Sequence, residues 1–233
     1  MRAPALRSIH AKRADHVWSV DLTVVPTLMG FWVPWFPFAA VPIWPFAWTV
    51  LVVVDHFSRR VVYTAAFRQQ PTAAVVNAAL DAAIAANGRG PDHLVSDRGS
   101  QFQDAYAAWC KGHKIKPRWG AIGKHGSIAV TERTIKSLKY ECLKMVRVPL
   151  GGAAMRALLA SYRVWFNEWR PHETLGGLTP RRARSRCAAR RWRSPHDQRA
   201  RSRSCQRQRA RSQDTAVRRR RAPHRWRPRP ADV

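Results

Sequence analysis

Three carboxylates sit where the chain could gather them. Asp21 closes the strand-like run Val17-Trp18-Ser19-Val20-Asp21. Asp97 closes Leu94-Val95-Ser96-Asp97 and is followed by Arg98-Gly99-Ser100, which reads as a turn. Glu132 lies 35 positions after Asp97, in the helix-like stretch from Ala129 to Lys139. Carboxylates that meet in space repel one another unless a cation neutralises them. Oxygen-only ligands with open positions suit Mg2+ or Mn2+. Two such ions held together clamp the attacking and leaving oxygens of a phosphodiester. Positions i, i+4 and i+7 share one face of a helix, so Glu132, Lys136 and Lys139 set two cations beside the third acid, placed to grip a phosphate. Each acid also has a plainer reading. Asp21 can end a strand, Asp97 can start a turn, and Glu132 with Lys136 can be a surface pair worth about 0.3–0.5 kcal/mol. Asp55, followed by His56, carries the same functional groups.

These acids need a frame. Apolar, β-branched runs predict strands near 17–24 and 47–55, a third at 60–67, and short ones at 92–96 and 115–118. Helices are expected over 72–87, opened by Pro71-Thr72 and closed by Asn87-Gly88, and over 102–112, 129–139 and 152–168. The apolar face of the last is Leu158, Leu159, Tyr162, Trp165 and Phe166. A glycine-rich loop, Gly120 to Gly126, precedes the Glu132 helix. Strands followed by alternating strands and helices suggest an α/β layer around a mixed sheet.

The segment from Leu22 to Val54 has no charged residue and is long enough to span a bilayer. Pro26, Pro34, Pro37, Pro42 and Pro45 break it, so two core strands around an aromatic, proline-rich insertion at 24–48 are preferred to a membrane helix. Trp32, Trp35, Phe36, Phe38, Trp44 and Trp48 make that insertion a patch that packs on the core or docks a partner. Cys110, Cys142, Cys187 and Cys205 are scattered and imply neither a zinc site nor a disulfide framework; a reducing cytosol fits, and no apolar leader opens the chain.

The formal charge of +28 over 233 residues points to a polyanionic partner. The charge is uneven. Residues 181–233 carry 20 Arg and 3 Asp, whereas all eight lysines precede residue 145. Without hydrophobic periodicity this tail is expected to be disordered. It is either a basic arm for nucleic acid or a solvated extension left by a change of reading frame.

Five motifs occur in a fixed order: His16 to Thr23, Val54 to Val62, Ser96 to Phe102, Glu132 to Lys139, and Trp165 to His172, the last followed by Leu175-Gly176-Gly177-Leu178-Thr179-Pro180. Over about residues 10 to 183 the sequence thereby resembles the catalytic core of DDE-type transposases and retroviral-type integrases. The resemblance implies an RNase H-like fold, a mixed five-stranded sheet flanked by helices. It implies an extension at 1–14, the catalytic core at 15–183 and the tail at 184–233. Asp21, Asp97 and Glu132 are then the catalytic acids and the ligands of two Mg2+ or Mn2+ ions. Lys136 and Lys139 contact DNA, with Lys124, His125 and Arg133 beside them, although a histidine in a glycine-rich loop can also be incidental. Asp55 becomes a structural marker, and Asp104 and Glu141 surface charges. The implied reaction is strand cleavage by water, then joining of the freed 3′-hydroxyl to target DNA with no covalent enzyme intermediate. The expected partners are element ends and target DNA, with a homo-oligomer assembled on them in the cytoplasm at the nucleoid and no membrane. Three departures stand. Gly126-Ser127-Ile128 occupies the place where many relatives have Asp-Asn, the spacing of 76 from Asp21 to Asp97 is long, and about fifteen residues precede the core where most relatives carry a helix-turn-helix domain. The alternative is an inactive or truncated remnant that only binds nucleic acid.

Overall fold

Val17 to Val20 and the whole of Ala47 to Asp55 are buried, which only an interior strand covered on both faces can satisfy. In the computed structural model, which describes residues 10–27, 44–97, 99–119 and 129–191, these runs are β1 (Val17–Pro26) and β2 (Ala47–Asp55). β3 (Val61–Phe67), β4 (His93–Ser96) and β5 (Lys116–Trp119) complete a five-stranded sheet in the order β3-β2-β1-β4-β5. β1 pairs antiparallel with β2 and parallel with β4, so the sheet is mixed, as expected.

Two helical layers cover it. α1 (Ala73–Asn87) and α2 (Asp104–Gly112) lie on one face, where Val76, Leu80, Tyr106 and Cys110 pack on Trp18, Val20, Leu51 and Val53. α3 (Ala129–Ser137) and α4 (Gly152–Glu168) contribute to the core on the other face, where Ile135, Met155, Leu159, Tyr162 and Phe166 pack on Val25, Val50, Val52 and Val54. Residues alternate along a strand, so Ser19, Asp21 and Val25 belong to the α3–α4 face. α1 starts at the Thr72 cap, whose side chain accepts from the Val75 N–H, and ends at Gly88, whose φ of 74° is the left-handed conformation that glycine adopts freely.

The elements match the expected ones, with three differences. Ser100–Phe102 forms a 3-10 turn ahead of α2. The helix expected over 129–139 is α-helical only to Ser137 and continues as a π-turn, Leu138–Cys142. Beyond the expected boundary at 183, α5 runs from Pro180 to Arg191. Proline is pre-organised for a first turn, Thr179 Oγ1 accepts from the Arg182 N–H at 3.4 Å, and Arg184 forks onto Asp15. A tertiary contact thus orders arginine-rich sequence that has no apolar stripe of its own. The described residues up to Cys187 belong to one compact unit.

Most of the aromatic insertion, the glycine-rich loop with Lys124 and His125, Arg98, and the tail beyond Arg191 lie outside the described residues. Leu22 and Val54, the ends of the uncharged segment, both lie in strands, and among the described residues no helix is long and apolar enough to cross a membrane.

Candidate active site

β1 and β4 run parallel with Val17 opposite His93, Trp18 opposite Leu94 and Ser19 opposite Val95. Two more residues along the same register bring Asp21 opposite Asp97, just past the end of β4. Neighbouring strands lie about 4.8 Å apart, and both aspartates fall on the α3–α4 face. The spacing of 76, long in sequence, is therefore the register offset of two adjacent strands.

Each aspartate is oriented by backbone. Asp21 Oδ1 accepts from the Leu22 N–H at 2.8 Å, and Asp97 Oδ1 accepts from the Gly99 N–H at 3.0 Å. Gly99 is needed for space. A Cβ built there would lie 2.7 Å from Gln101 Oε1 and 3.1 Å from Asp97 Oδ1. Any side chain at this position pushes on the carboxylate.

α3 brings the third acid. Thr131, Thr134, Ile135 and Leu138 are its buried stripe at helical spacing. The Thr131 hydroxyl donates to Ser19 Oγ, two residues from Asp21 on the same face of β1. Tyr162 on α4 donates to the Thr134 carbonyl at 3.1 Å. These bonds fix the helix over β1, and Glu132, next to Thr131, is exposed within electrostatic range of Asp21.

The electrostatics carry the mark of that convergence. The Asp21 carboxyl is pushed up from its ordinary 3.8 to about 6, chiefly by burial and further by the Asp97 and Glu132 carboxylates facing it. The Leu22 N–H and the Lys139 ammonium pull it the other way. Among the described residues no three acidic, histidine or cysteine side chains stand close enough together to hold a metal ion as they are. Asp97 and Glu132 each lie within electrostatic range of Asp21 but short of a closed coordination sphere, the spacing that unneutralised like charges favour. The donor set is all oxygen and short of positive charge, which fits a hard divalent cation.

Lys136 is exposed and Lys139 half-buried on the Glu132 side of the helix. Lys139 lies in the π-turn and faces Asp21, so the two lysines differ in setting although their spacing is regular. Isolated π-turns often occur at functional sites. Arg133 is exposed on the flank of α3, within electrostatic range of Arg59.

Asp55 is a different kind of aspartate. It is fully buried and accepts from the Asp15 N–H at 3.2 Å, the Ser58 N–H at 3.0 Å and Ser58 Oγ at 2.5 Å. It knits the β2–β3 turn and faces away from the site, as a structural marker should. Glu141 is partly exposed, but Arg170 forks onto it with two bonds of 2.6 Å, which ties the closing Arg170-Pro171-His172 segment to the π-turn that carries Lys139. Reading the sequence alone missed the supporting residues Ser19, Thr131 and Asp15. Their types are common, and only strand alternation hinted that Ser19 shares a face with Asp21.

Comparison with known proteins bears on the family and the fold. The integrase core domain family matches residues 11–125, and a second family of the same description matches residues 113–180. Transposase InsF for the insertion sequence IS3A of Escherichia coli K12 is 30% identical over 177 residues, 75% of this chain and 55% of that protein. The counterpart for IS3fB is 31% identical over the same length. The chain thus spans about half the length of the curated relatives it matches. Among solved structures, the HTLV-2 integrase catalytic core domain, in a complex with magnesium, covers 75% of this chain and 99% of its own at a TM-score of 0.55 and 18% identity. The BIV integrase catalytic core domain covers 77% and 99% at a TM-score of 0.53 and 21% identity. At these identities the likeness is one of fold.

Proposed function

The chain belongs to the integrase core domain family, with its RNase H-like fold, and from that premise we propose that it cleaves DNA strands and joins them to target DNA in a divalent-metal-dependent reaction. The observation that carries the proposal is the β1–β4 register that sets Asp21 opposite Asp97, with Glu132 close enough to Asp21 to raise its proton affinity. Asp21, Asp97 and Glu132 are the groups that would hold two Mg2+ or Mn2+ ions. When bound, such ions supply charge neutralisation at the attacking and leaving oxygens of the phosphodiester.

The chain's own residues orient the acids and the DNA. The Leu22 and Gly99 N–H groups fix one oxygen of each aspartate. Thr131 on Ser19 sets the height of Glu132 above the strand. Lys136 and Arg133 present charge to the DNA backbone, and Lys139 stands between a phosphate and Asp21. Lys124 and His125 precede the same helix in sequence and are assigned to the DNA path. The whole reaction takes place on element ends and target in a homo-oligomer, in the cytoplasm at the nucleoid.

Incubating the full chain with labelled duplex oligonucleotides tests this. Products of cleavage and joining are expected with Mg2+ or Mn2+ and none with EDTA. Glu132→Gln should reduce product at least about a thousandfold while duplex affinity stays within about threefold, because a lost ligand removes several kcal/mol of transition-state stabilisation. Binding without metal-dependent cleavage in the unaltered chain would favour the binding-only remnant instead.

A further inference from the structure

A second charged site lies beside the start of β1, whereas Asp21 is at mid-strand. A cavity of about 270 Å3 there is lined by Arg60, Asn87, Asn167, Glu168, Arg181, Arg184 and Ser185. It is smaller than the roughly 300–1,000 Å3 of pockets for drug-sized molecules, and charged groups dominate its wall.

Each of its three arginines is held by a different acceptor. Arg184 forks onto the buried Asp15 at 3.0 and 2.8 Å. Arg181 pairs with Glu168 at 2.6 Å. Arg60 donates to Asn87 Oδ1 at 2.6 Å. The amides are scaffold. Asn87 Nδ2 lies 3.2 Å from Asp15 Oδ1 and 2.8 Å from the Arg89 carbonyl, and Asn167 spends both amide atoms on the Val61 backbone. Arg60 is the exception among the cations. It is half-buried, its partner is a neutral amide, and no carboxylate lies within 4 Å of it among the described residues. Burial and then Arg184 disfavour its charge, with Arg163 acting the same way, and the Asp15 and Asp55 carboxylates that oppose them are committed elsewhere.

We propose that this cavity is an anion site for a phosphate-class oxyanion, with Arg60, Arg184 and Arg181 as its cations and Ser185 as a hydroxyl donor. Guanidinium groups fixed in a fork match the geometry of phosphate oxygens. An oxyanion supplies the negative charge that Arg60 lacks and leaves the Asp15–Arg184 and Arg181–Glu168 pairs in place. The site is separate from the acid cluster. Asp55, beside it, is paired with Trp18, three residues before Asp21, or about 10 Å along the strand. The oxyanion is either a backbone phosphate of DNA or free inorganic phosphate.

Two variants of the full chain, Arg60→Gln and Ser185→Glu, test it without divalent metal, so the outcome is independent of the proposed catalysis. Ser185 is exposed, so its variant retains the fold and places a competing carboxylate in the cavity. In one arm, inorganic phosphate is titrated against chloride at matched ionic strength and Tm is followed. In the other, affinity for a duplex without terminal phosphates is measured against salt. If the source is free phosphate, Tm of the unaltered protein rises with phosphate and the midpoint weakens at least tenfold in both variants. If the source is DNA, the slope of log K against log salt falls by about 0.9 in each variant. The proposal is overturned if Ser185→Glu is folded and changes neither the phosphate midpoint nor the duplex slope.

Discussion

The aspartates around β1 are in opposite electrostatic states, Asp15 just before the strand and Asp55 opposite its start on the one hand, Asp21 at mid-strand on the other. At its start, Asp15 receives the Arg184 fork, the Trp18 indole N–H and the Asn87 amide, and Asp55 receives three donors from Asp15 and Ser58. Further along, Asp21 receives one N–H, from its own neighbour, and faces two more carboxylates. The first pair is satisfied from within the chain and holds the fold together. The second group is left short of positive charge, at a cost to the fold that a bound cation removes. A carboxylate's donors, more than its burial, separate structural from chemical acids here.

The comparison breaks most visibly in activity. Asp21→Asn and Asp15→Asn should behave as opposites. Asp21→Asn is expected to lower strand cleavage by at least about a thousandfold, as for Glu132→Gln, yet to raise Tm of the metal-free protein. Asp15→Asn is expected to cost about 1–3 kcal/mol of stability, since it takes the charge from the buried acceptor of the half-buried Arg184 fork, while cleavage per folded molecule persists. Equal Tm losses in the two variants, read by thermal melts without metal, would erase the distinction.

The same contrast has a pH signature. Asp21 titrates at about 6 when folded and near 3.8 when unfolded, so the native state holds more protons between those values. Stability of the metal-free protein should therefore fall as pH rises from about 4 to 6 and level off above, by roughly 3 kcal/mol in all. Asp21→Asn should remove that slope. Divalent metal should restore the lost stability only above about pH 6, where binding no longer has to displace a proton.

Gly99→Ala gives a smaller effect. Its Cβ crowds Asp97 Oδ1, so metal affinity, read by calorimetry, should weaken about tenfold with Tm changed by only a few degrees. Unchanged affinity would mean that Asp97 has room to move.

The smallest difference is between the two lysines. Lys136→Ala and Lys139→Ala should each lower the salt slope of DNA binding by about 0.9, measured with Ca2+ to suppress turnover. Only Lys139→Ala should also shift the pH midpoint of metal binding upward, because Lys139 alone faces Asp21. An upward shift in both variants would place Lys136 at the acid cluster as well.

Much of this was legible in the sequence. Apolar, β-branched runs located β1, β2 and β3, and Pro71-Thr72 with Asn87-Gly88 framed α1 within a residue. The acids could be picked out because each closes a strand or rides a helix whose pattern is local. The π-turn at Leu138–Cys142 was not legible, since its sequence Leu-Lys-Tyr-Glu-Cys carries no breaker and the widening coincides with the Arg170 clamp on Glu141. α5 was also hidden. Its arginines resemble the solvated tail that follows, and a partner 169 positions away, Asp15, orders Arg184.

The sequence by itself determined which segments become strands and helices, because side-chain periodicity and cap chemistry act within a few residues. It also determined the excess of positive charge and the family motifs that carry the three acids. Only the tertiary structure decided which aspartates are left facing other acids and which are tied down. Asp21 and Asp97 become neighbours through the parallel register of β1 and β4, Glu132 joins them through Thr131 on Ser19, and Asp15 and Asp55 are withdrawn into hydrogen bonds. Proximity between distant residues is set by how layers pack, and a carboxylate's charge balance depends on that proximity rather than on its sequence neighbours.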